Sequence, residues 1–275
     1  MADLHKLLET ALTAAKEAGK EIMSFYHHDQ LKKFTKDDDT PVTEADLAAN
    51  QVLVEHLRQA TPEIPIISEE SDNIALAERA QWPMYWLLDP IDGTGEFIAQ
   101  SGDFAVNIAL VQNGWPVIGV IHAPAHEVTY YGCKKGGAFK QDNQGTKQIK
   151  VAPYDGKRTL NVGVSRRQKL STIANFLNER YQYQHIPLGS CSLKNCQIAE
   201  GTTDCYLRIG PTGEWDTGAS QCILEEAGGT ILDSELLPLT YNQRESLMNP
   251  DFISLGNPAI DWQDVIIKHK CARDY

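Results

Sequence analysis

The order of apolar and polar positions divides the chain into a helical opening, a strand-rich middle and a second half in which strands and helices alternate. Leu4, Leu7, Leu8, Ala11, Ala15, Ala18, Ile22 and Phe25 recur at helical spacing and predict an amphipathic helix over 3–27. A second helix opens at Val42-Thr43-Glu44-Ala45-Asp46, with Leu47, Val52, Val54 and Leu57 among its apolar positions. Thr43 followed by Asp46 has the spacing of a capping box. A short strand over 64–67 and a polar helix through Ala80 lead to Tyr85-Trp86-Leu87-Leu88, a brief aromatic-rich run that reads as a buried strand. Apolar runs over 104–111 and 117–121 flank Asn113-Gly114, a hairpin signal, and runs over 128–131 and 138–140 extend the same antiparallel sheet. The polar, turn-rich stretch 142–150 predicts the boundary between two lobes of one domain, 1–150 and 151–275. Beyond it, strands over 160–164, 183–188, 205–209, 230–232 and 252–255 alternate with helices over 167–180, 193–199, 216–227 and 261–271, as in an α/β layer. Gly228-Gly229 supplies the stop for the third of these helices.

Composition narrows the partners. The chain has 275 residues, 42% hydrophobic and 23% charged, which suits a globular protein with a sizeable core. A net charge of −12 leaves no basic face to neutralise a nucleic-acid polymer. A small phosphate compound remains possible where metal ions reverse the local sign. No stretch reads as a membrane span or as a signal peptide. The six cysteines, at 133, 191, 196, 205, 222 and 271, form no CxxC pair and predict reduced thiols that fill the core.

The candidate chemistry is acidic. Asp89-Pro90-Ile91-Asp92-Gly93-Thr94 ends the central strand with two carboxylates, a backbone carbonyl between them and a hydroxyl, a donor set for a hard cation such as Mg²⁺. The same string is also good turn chemistry, with a turn through Pro90. Ser68-Glu69-Glu70 ends another strand, where adjacent acids face either water or a cation. Asp216 opens a helix after a glycine-containing turn, the place of an N-cap. His27 and His28 read as solvated residues at a helix end, and 31–41 as a polar loop. Each acid has a structural explanation alone; their joint placement at strand ends and helix starts across both lobes does not.

Val42-Thr43-x-x-Asp46, Ser68-Glu69-Glu70, Asp89-Pro-Ile-Asp92-Gly-Thr94 and Glu214-Trp215-Asp216-x-Gly218-Ala219 stand in the order and spacing of the inositol monophosphatase superfamily, which the sequence resembles over nearly its whole length. Gly95-Glu96-Phe97-Ile98, Phe104-x-Val106-Asn107-Ile108-Ala109, Ser192-Leu193-Lys194 and Ile198-Ala199-Glu200-Gly201 resemble its bacterial CysQ-type 3′(2′),5′-bisphosphate nucleotidase branch most. Two positions depart from that branch: Gly95 stands where a lysine is typical, and Gln168 where a histidine is common.

The resemblance implies a layered αβαβα sandwich, an α+β/α/β inositol monophosphatase-like fold with two lobes. It implies a Mg²⁺-dependent, lithium-sensitive phosphatase that removes the 3′-phosphate of adenosine 3′,5′-bisphosphate, or of its sulfated precursor, by metal-activated water during sulfate assimilation. Glu69, Asp89 and the Ile91 carbonyl would hold one ion, and Asp89, Asp92 and Asp216 a second. A third, weaker ion would be recruited near Lys36 and Asp37-Asp38-Asp39. Glu69 and Thr94 would orient the water, with Asp46 accepting from Thr94, a role that competes with its capping box. Gly93 and Thr94 N–H groups would meet the scissile phosphate. Ser165, Gly189, Ser190 and Lys194, with Glu214 nearby, would meet the nucleotide, although Lys194 also reads as an ordinary exposed helical lysine. The implied setting is cytoplasmic, or peripheral on the cytoplasmic face of the inner membrane, as a monomer or homodimer. An inositol or sugar phosphatase with the same metal core, and a non-catalytic phosphonucleotide sensor, are the competing readings.

Overall fold

The computed structural model describes residues 3–26, 33–35, 41–72, 74–166 and 168–267. His27, His28, Lys36, Asp37-Asp38-Asp39 and Cys271 lie outside the described residues. In chain order the elements are α1 (Leu4–Tyr26), β1 (Lys33–Thr35), β2 (Pro41–Thr43), α2 (Glu44–Ala60), β3 (Ile66–Ser68), α3 (Leu76–Arg79), β4 (Met84–Asp92), α4 (Thr94–Ile98), β5 (Ala105–Gln112), β6 (Trp115–Ala123), β7 (Val128–Cys133), β8 (Gly137–Asp142) and β9 (Gly145–Ile149). There follow β10 (Leu160–Ser165), α5 (Leu170–Ala174), β11 (Tyr183–Leu188), α6 (Cys191–Ala199), β12 (Cys205–Arg208), α7 (Glu214–Glu226), β13 (Thr230–Asp233), β14 (Phe252–Leu255) and α8 (Trp262–Val265).

β3 to β9 lie side by side in chain order as a seven-stranded sheet, parallel only at β3–β4. The second sheet has five strands in the order β11-β10-β12-β14-β13, with β10 parallel to both of its neighbours. Three cores alternate with the sheets. Ala11, Ala15, Ala18 and Ile22 of α1, with Ala45, Ala49, Leu53 and Leu57 of α2, cover one face of the large sheet through Trp86, Leu88, Ile108 and Val120. Helices α6 and α7 fill the space between the two sheets, where Leu193, Cys196, Ile198, Ile223 and Leu224 meet Leu87, Ala109, Ile121 and Tyr206. Ile173 of α5 and Val265 of α8 cover the outer face of the small sheet, against Leu160, Val162, Leu207 and Ile253. The result is the αβαβα layering expected above. Among the described residues no helix is long and apolar enough to cross a membrane, and five cysteines are buried free thiols.

Several boundaries differ from the sequence reading, each for a local reason. The central strand does not turn at Pro90. It runs on to Asp92, and the pairing register with β5 shifts between Asp89↔Asn107 and Asp92↔Ala105. Pro90 has no N–H to give the ladder, and an irregular step absorbs that loss without ending the strand. The stretch 142–150 holds a strand that was not expected: β9 pairs with β8 as the large sheet's edge, and its side chains are polar because an edge strand faces water. The helix expected over 167–180 is found at Leu170–Ala174, and of the one expected over 261–271 the described part, 261–267, is helical at Trp262–Val265, after which Ile266 bridges to Leu177. Asp216 is the third residue of α7, not its N-cap, which is Gly213. On α2 the buried stripe is Ala45, Ala49, Leu53 and Leu57, whereas Leu47 is 48% exposed. Small alanines let α2 lie close to its neighbours, and size patterning overrode the larger apolar residues as a guide.

The central layer leaves almost no gap. A Cβ added at Gly119 on β6 would lie 2.1 Å from the Ala219 carbonyl oxygen on α7, a backbone contact that cannot yield as a side chain would. At Gly163 on β10 an added Cβ would meet nothing closer than 3.6 Å. Gly119→Ala should therefore destabilise the fold by about 3 kcal/mol or more, while Gly163→Ala changes stability by less than about 1 kcal/mol. Urea unfolding midpoints of the two variants check this; equal midpoints would show that α7 does not sit against β6 as described.

Candidate active site and metal centre

The end of the central strand and the start of α7 bring the acids together. Asp89 and Asp92 sit on the last residues of β4 and are buried. Ser68 of β3 aligns with Leu88 of β4, and the Glu69 N–H donates to the Leu88 carbonyl at 3.1 Å, so Glu69 follows directly beside Asp89. Asp216 arrives from the other half of the chain on the first turn of α7, where it accepts the Gly213 N–H at 2.6 Å. Carboxylate oxygens of Asp89, Asp92 and Asp216 lie within 4.8 Å of one another.

Electrostatics makes this grouping costly. Burial, then the charges of Glu69, Asp92 and Asp216, push the Asp89 carboxyl well above the usual carboxylate range. Burial and the charges of Asp92 and Glu69 do the same to Asp216. Both oxygens of Asp89 are buried with no hydrogen-bond partner. An orphaned carboxylate amid other acids is the signature of a position that a cation completes, and an all-oxygen donor set suits a hard divalent ion. Asp89, Asp92 and Asp216 could hold a metal.

The surrounding groups fix these acids in place. Asp92 plugs into the start of α6: its Oδ2 accepts from the Ser190 hydroxyl (2.6 Å), the Ser192 hydroxyl (2.6 Å) and the Ser192 N–H (2.7 Å), and its Oδ1 from the Cys191 N–H (3.1 Å). Four donors to one carboxylate tie the large sheet to the second half of the chain. Ser190 holds a backbone conformation with φ +46°, which costs a non-glycine residue about 1–3 kcal/mol; its bonds to Asp92 and from the Leu193 N–H offset that strain. Asp46 does two jobs with its two oxygens. Oδ2 accepts the Thr43 N–H (2.7 Å) and hydroxyl (2.6 Å), completing the capping box, while Oδ1 lies 3.0 Å from the Thr94 hydroxyl. Thr94 Oγ1 is also 3.2 Å from the Ile91 carbonyl oxygen. Burial raises the Asp46 carboxyl above its ordinary value despite these bonds. Behind Asp216, the buried Glu214 accepts from the Asn242 N–H (2.8 Å) and Arg244 Nη2 (2.9 Å), and burial pushes it up to about 7.

A cleft of about 340 Å³ opens beside Asp92 and Asp216. Its floor is the C-terminal edge of the parallel strands β10, β11 and β12, the edge at which α/β sheets hold ligands. Ser165 and Arg166, then Leu188 to Ser190, then Arg208 stand at those three strand ends and line it. Gly93 lies across from them, where a Cβ would come within 3.0 Å of the Asp103 carbonyl and 3.5 Å of the Ser190 Cα.

The sequence profile of the inositol monophosphatase family matches residues 3–264. The chain belongs to the inositol monophosphatase family. Among family members it is 40% identical over 259 residues to the 3′(2′),5′-bisphosphate nucleotidase CysQ of Haemophilus influenzae, covering 94% of this chain and 96% of that protein. It is 43% identical over 262 residues to the protein of the same name from Aggregatibacter actinomycetemcomitans, with the same coverage of each. The crystal structure of CysQ from Bacteroides thetaiotaomicron superposes with a TM-score of 0.80 at 34% identity, covering 90% of this chain and 96% of that one. The inositol monophosphatase of Anabaena gives 0.70 at 26%, covering 94% and 92%.

Within this family fold the structure gathers Asp46, Glu69, Asp89, Ile91, Asp92, Gly93, Thr94 and Asp216 at one end of the cleft, and Ser165, Gly189, Ser190 and Lys194 along its wall. Two of the wall residues are already engaged. The Ser190 hydroxyl is bound to Asp92, and the buried Lys194 ammonium donates to the carbonyls of Gly189 (3.0 Å), Ser190 (2.5 Å) and Leu188 (3.4 Å), with the Tyr206 ring 4.9 Å away. Lys194 is therefore not the exposed helical lysine of the sequence reading; it holds the loop that carries Gly189 and Ser190. Asp103, Arg166 and Arg208 were assigned no role by the sequence reading, and Ser192 stood there only as part of a matching stretch. Ser-x-Ser at a helix start was a visible capping signal, but its acceptor lies 98 and 100 residues away, and no local pattern points from one to the other.

If a cation completes the acidic cluster, Mg²⁺ at saturating concentration should raise the thermal unfolding midpoint by several degrees, from about 2.7 kcal/mol at a hundredfold excess over Kd and roughly 2–4 °C per kcal/mol at this size. Asp89→Asn should melt higher than the parent in EDTA, because it removes the orphaned charge, and should lose most of the Mg²⁺ increment. Calorimetry in EDTA and in Mg²⁺ checks both; an undiminished Mg²⁺ response in Asp89→Asn would place the ion elsewhere.

Proposed function

We propose that this chain is a Mg²⁺-dependent 3′(2′),5′-bisphosphate nucleotidase that hydrolyses the 3′-phosphate of adenosine 3′,5′-bisphosphate to give AMP, and accepts the sulfated analogue. The observation that carries the reading is the cluster of Asp89, Asp92 and Asp216, with its orphaned Asp89 carboxylate, at one end of a cleft whose other wall presents arginines. The nucleotide as substrate class is supported by the 40% and 43% identical nucleotidases. Acids from the large sheet and from α7 meet in one site, which supports reading residues 1–275 as a single catalytic unit.

Glu69, Asp89 and the Ile91 carbonyl would hold one Mg²⁺, and Asp89, Asp92 and Asp216 a second, and these ions would supply Lewis acidity for the phosphate displacement. The chain's own groups do the rest. Thr94 donates its hydroxyl proton to Asp46 Oδ1, which leaves the oxygen lone pairs free to accept from the attacking water, with Glu69 as the second acceptor. Removal of the water's proton then runs through Thr94 Oγ1 to Asp46, whose buried carboxyl is a stronger base than an exposed one. Gly93 and Thr94 direct backbone N–H groups to the scissile phosphate, Gly93 adopting φ +96° so that the chain can turn there. Ser165, Gly189 and Ser190 form the wall against the nucleotide. Lys194 holds that wall and lends it positive charge, and Arg208, whose Nη2 donates to the Pro211 carbonyl at 2.8 Å, adds a cation at the end of β12.

The experiment is phosphate release from adenosine 3′,5′-bisphosphate, inositol 1-phosphate and fructose 1,6-bisphosphate, with and without Mg²⁺ and Li⁺. We expect Mg²⁺-dependent, Li⁺-inhibited release with the nucleotide strongly preferred. Preference for inositol 1-phosphate would keep the metal site and discard the nucleotide wall; no release from any of them by folded protein would leave a phosphonucleotide sensor. Thr94→Ala should lower kcat about a hundredfold or more with a small change in KM, because it breaks the proton path and not the binding wall. A kcat within tenfold of the parent would remove Thr94 from that path.

A further inference from the structure

Asp103 lies on the loop between α4 and β5 and is buried. Its Oδ2 accepts the Gly189 N–H at 2.9 Å and also a hydrogen bond from Arg166 Nη2, and Oδ1 is 3.7 Å from His126 Nε2. The Ser101 hydroxyl receives the backbone N–H of Asp103 at 3.3 Å and holds the loop. One carboxylate from the large-sheet side thus grips two strand ends of the small sheet. The grip is close: a Cβ at Gly189 would fall 2.6 Å from the Asp103 Cβ and 2.5 Å from the Glu96 Cγ.

Arg166 is the first residue beyond β10, 45% exposed, and lines the cleft. Asp103 occupies one Nη of its guanidinium, and among the described residues no other acceptor binds it. A carboxylate pinned to one edge of this planar, rigid fork leaves the remaining N–H groups facing a set direction, with less rotamer freedom to lose when an anion arrives. Arg166 does not pair with Asp89, Asp92 or Asp216, so occupation of that cluster leaves its fork available. In a chain of net charge −12, a second phosphate on the ligand needs a local cation of this kind.

We propose that Arg166 is a specificity-determining residue that binds the phosphate this enzyme does not hydrolyse, and that Asp103 is the positioning residue that aims it. This rests on the nucleotidase reading above. Bidentate guanidinium–phosphate pairing supplies both affinity and geometry, and a substrate with one phosphate gains nothing from it.

The test compares kcat and KM for adenosine 3′,5′-bisphosphate and adenosine 3′-monophosphate in the parent, Arg166→Gln, Arg166→Lys, Asp103→Asn and the Arg166→Gln/Asp103→Asn double variant. A charge-assisted hydrogen bond of about 1.5–3 kcal/mol corresponds to roughly ten- to a hundredfold. Arg166→Gln should reduce the bisphosphate-over-monophosphate ratio of kcat/KM by about tenfold or more, carried by KM. Arg166→Lys should recover part of the ratio. Asp103→Asn should lower it less, and should add little in the double variant, because Asp103 acts through Arg166. Equal losses on both substrates would assign the pair a structural role only, and an unchanged ratio would remove Arg166 from the binding wall; either overturns the proposal. Hydrolysis of neither compound by the folded parent protein would overturn the substrate class, and this inference with it.

Discussion

Like charges resist being gathered out of water, and this chain gathers them. Asp89, Asp92 and Asp216 cannot share a few ångströms of buried space by mutual attraction. They are held there by the rest of the fold. The apolar layers on either side of the large sheet bury enough surface to fix β4 and α7 in position, at roughly 25 cal/mol per Å² of apolar area, and the acids follow because they are covalently attached to those elements. The site is thus under an electrostatic load that a bound cation would relieve.

The load is distributed through hydrogen bonds that cross the molecule. Asp92 is spread over four donors at the start of α6, and Asp103 over Gly189 and Arg166. Glu214 rests on Asn242 and Arg244, and Asn242 is itself held by the buried guanidinium of Arg79 through an Nη1 bond of 2.6 Å. The Asp92, Asp103 and Arg79 contacts join the large sheet, or a segment beside it, to the second half of the chain. The cleft is the line along which the two halves touch, so its width is set by these contacts and by the glycines that allow close approach. Lys194 belongs to the same scheme: its ammonium serves the carbonyls of Leu188, Gly189 and Ser190 at the start of α6.

The match between sequence reading and structure follows the range of the deciding interaction. Helix α1 and strands β11 and β14 carry patterns that complete themselves within a few residues, and their limits were readable to within one residue. The strand through Pro90 was not, because whether a proline ends a strand or is absorbed as an irregular step depends on the neighbouring β5. The edge strand β9 was not readable as a strand because its outward side chains are polar. The stretch 167–180 has helical residues but only one helical turn, since Asn178 turns instead to bond Asp264.

The metal-cluster acids were legible as residue types at strand ends and helix starts, and their likeness to a family's motifs supplied the grouping. What sequence alone determined is therefore the inventory: which acids, which hydroxyls and, through the family likeness, the αβαβα layering. Only the tertiary structure decided how they are used. It assigned one oxygen of Asp46 to its helix and the other to Thr94, turned Lys194 inward onto carbonyls, and brought Asp103 to Gly189 and Arg166. These outcomes depend on partners tens of residues away, and a side chain's partner at that distance is set by the packing of whole layers, which no local pattern encodes.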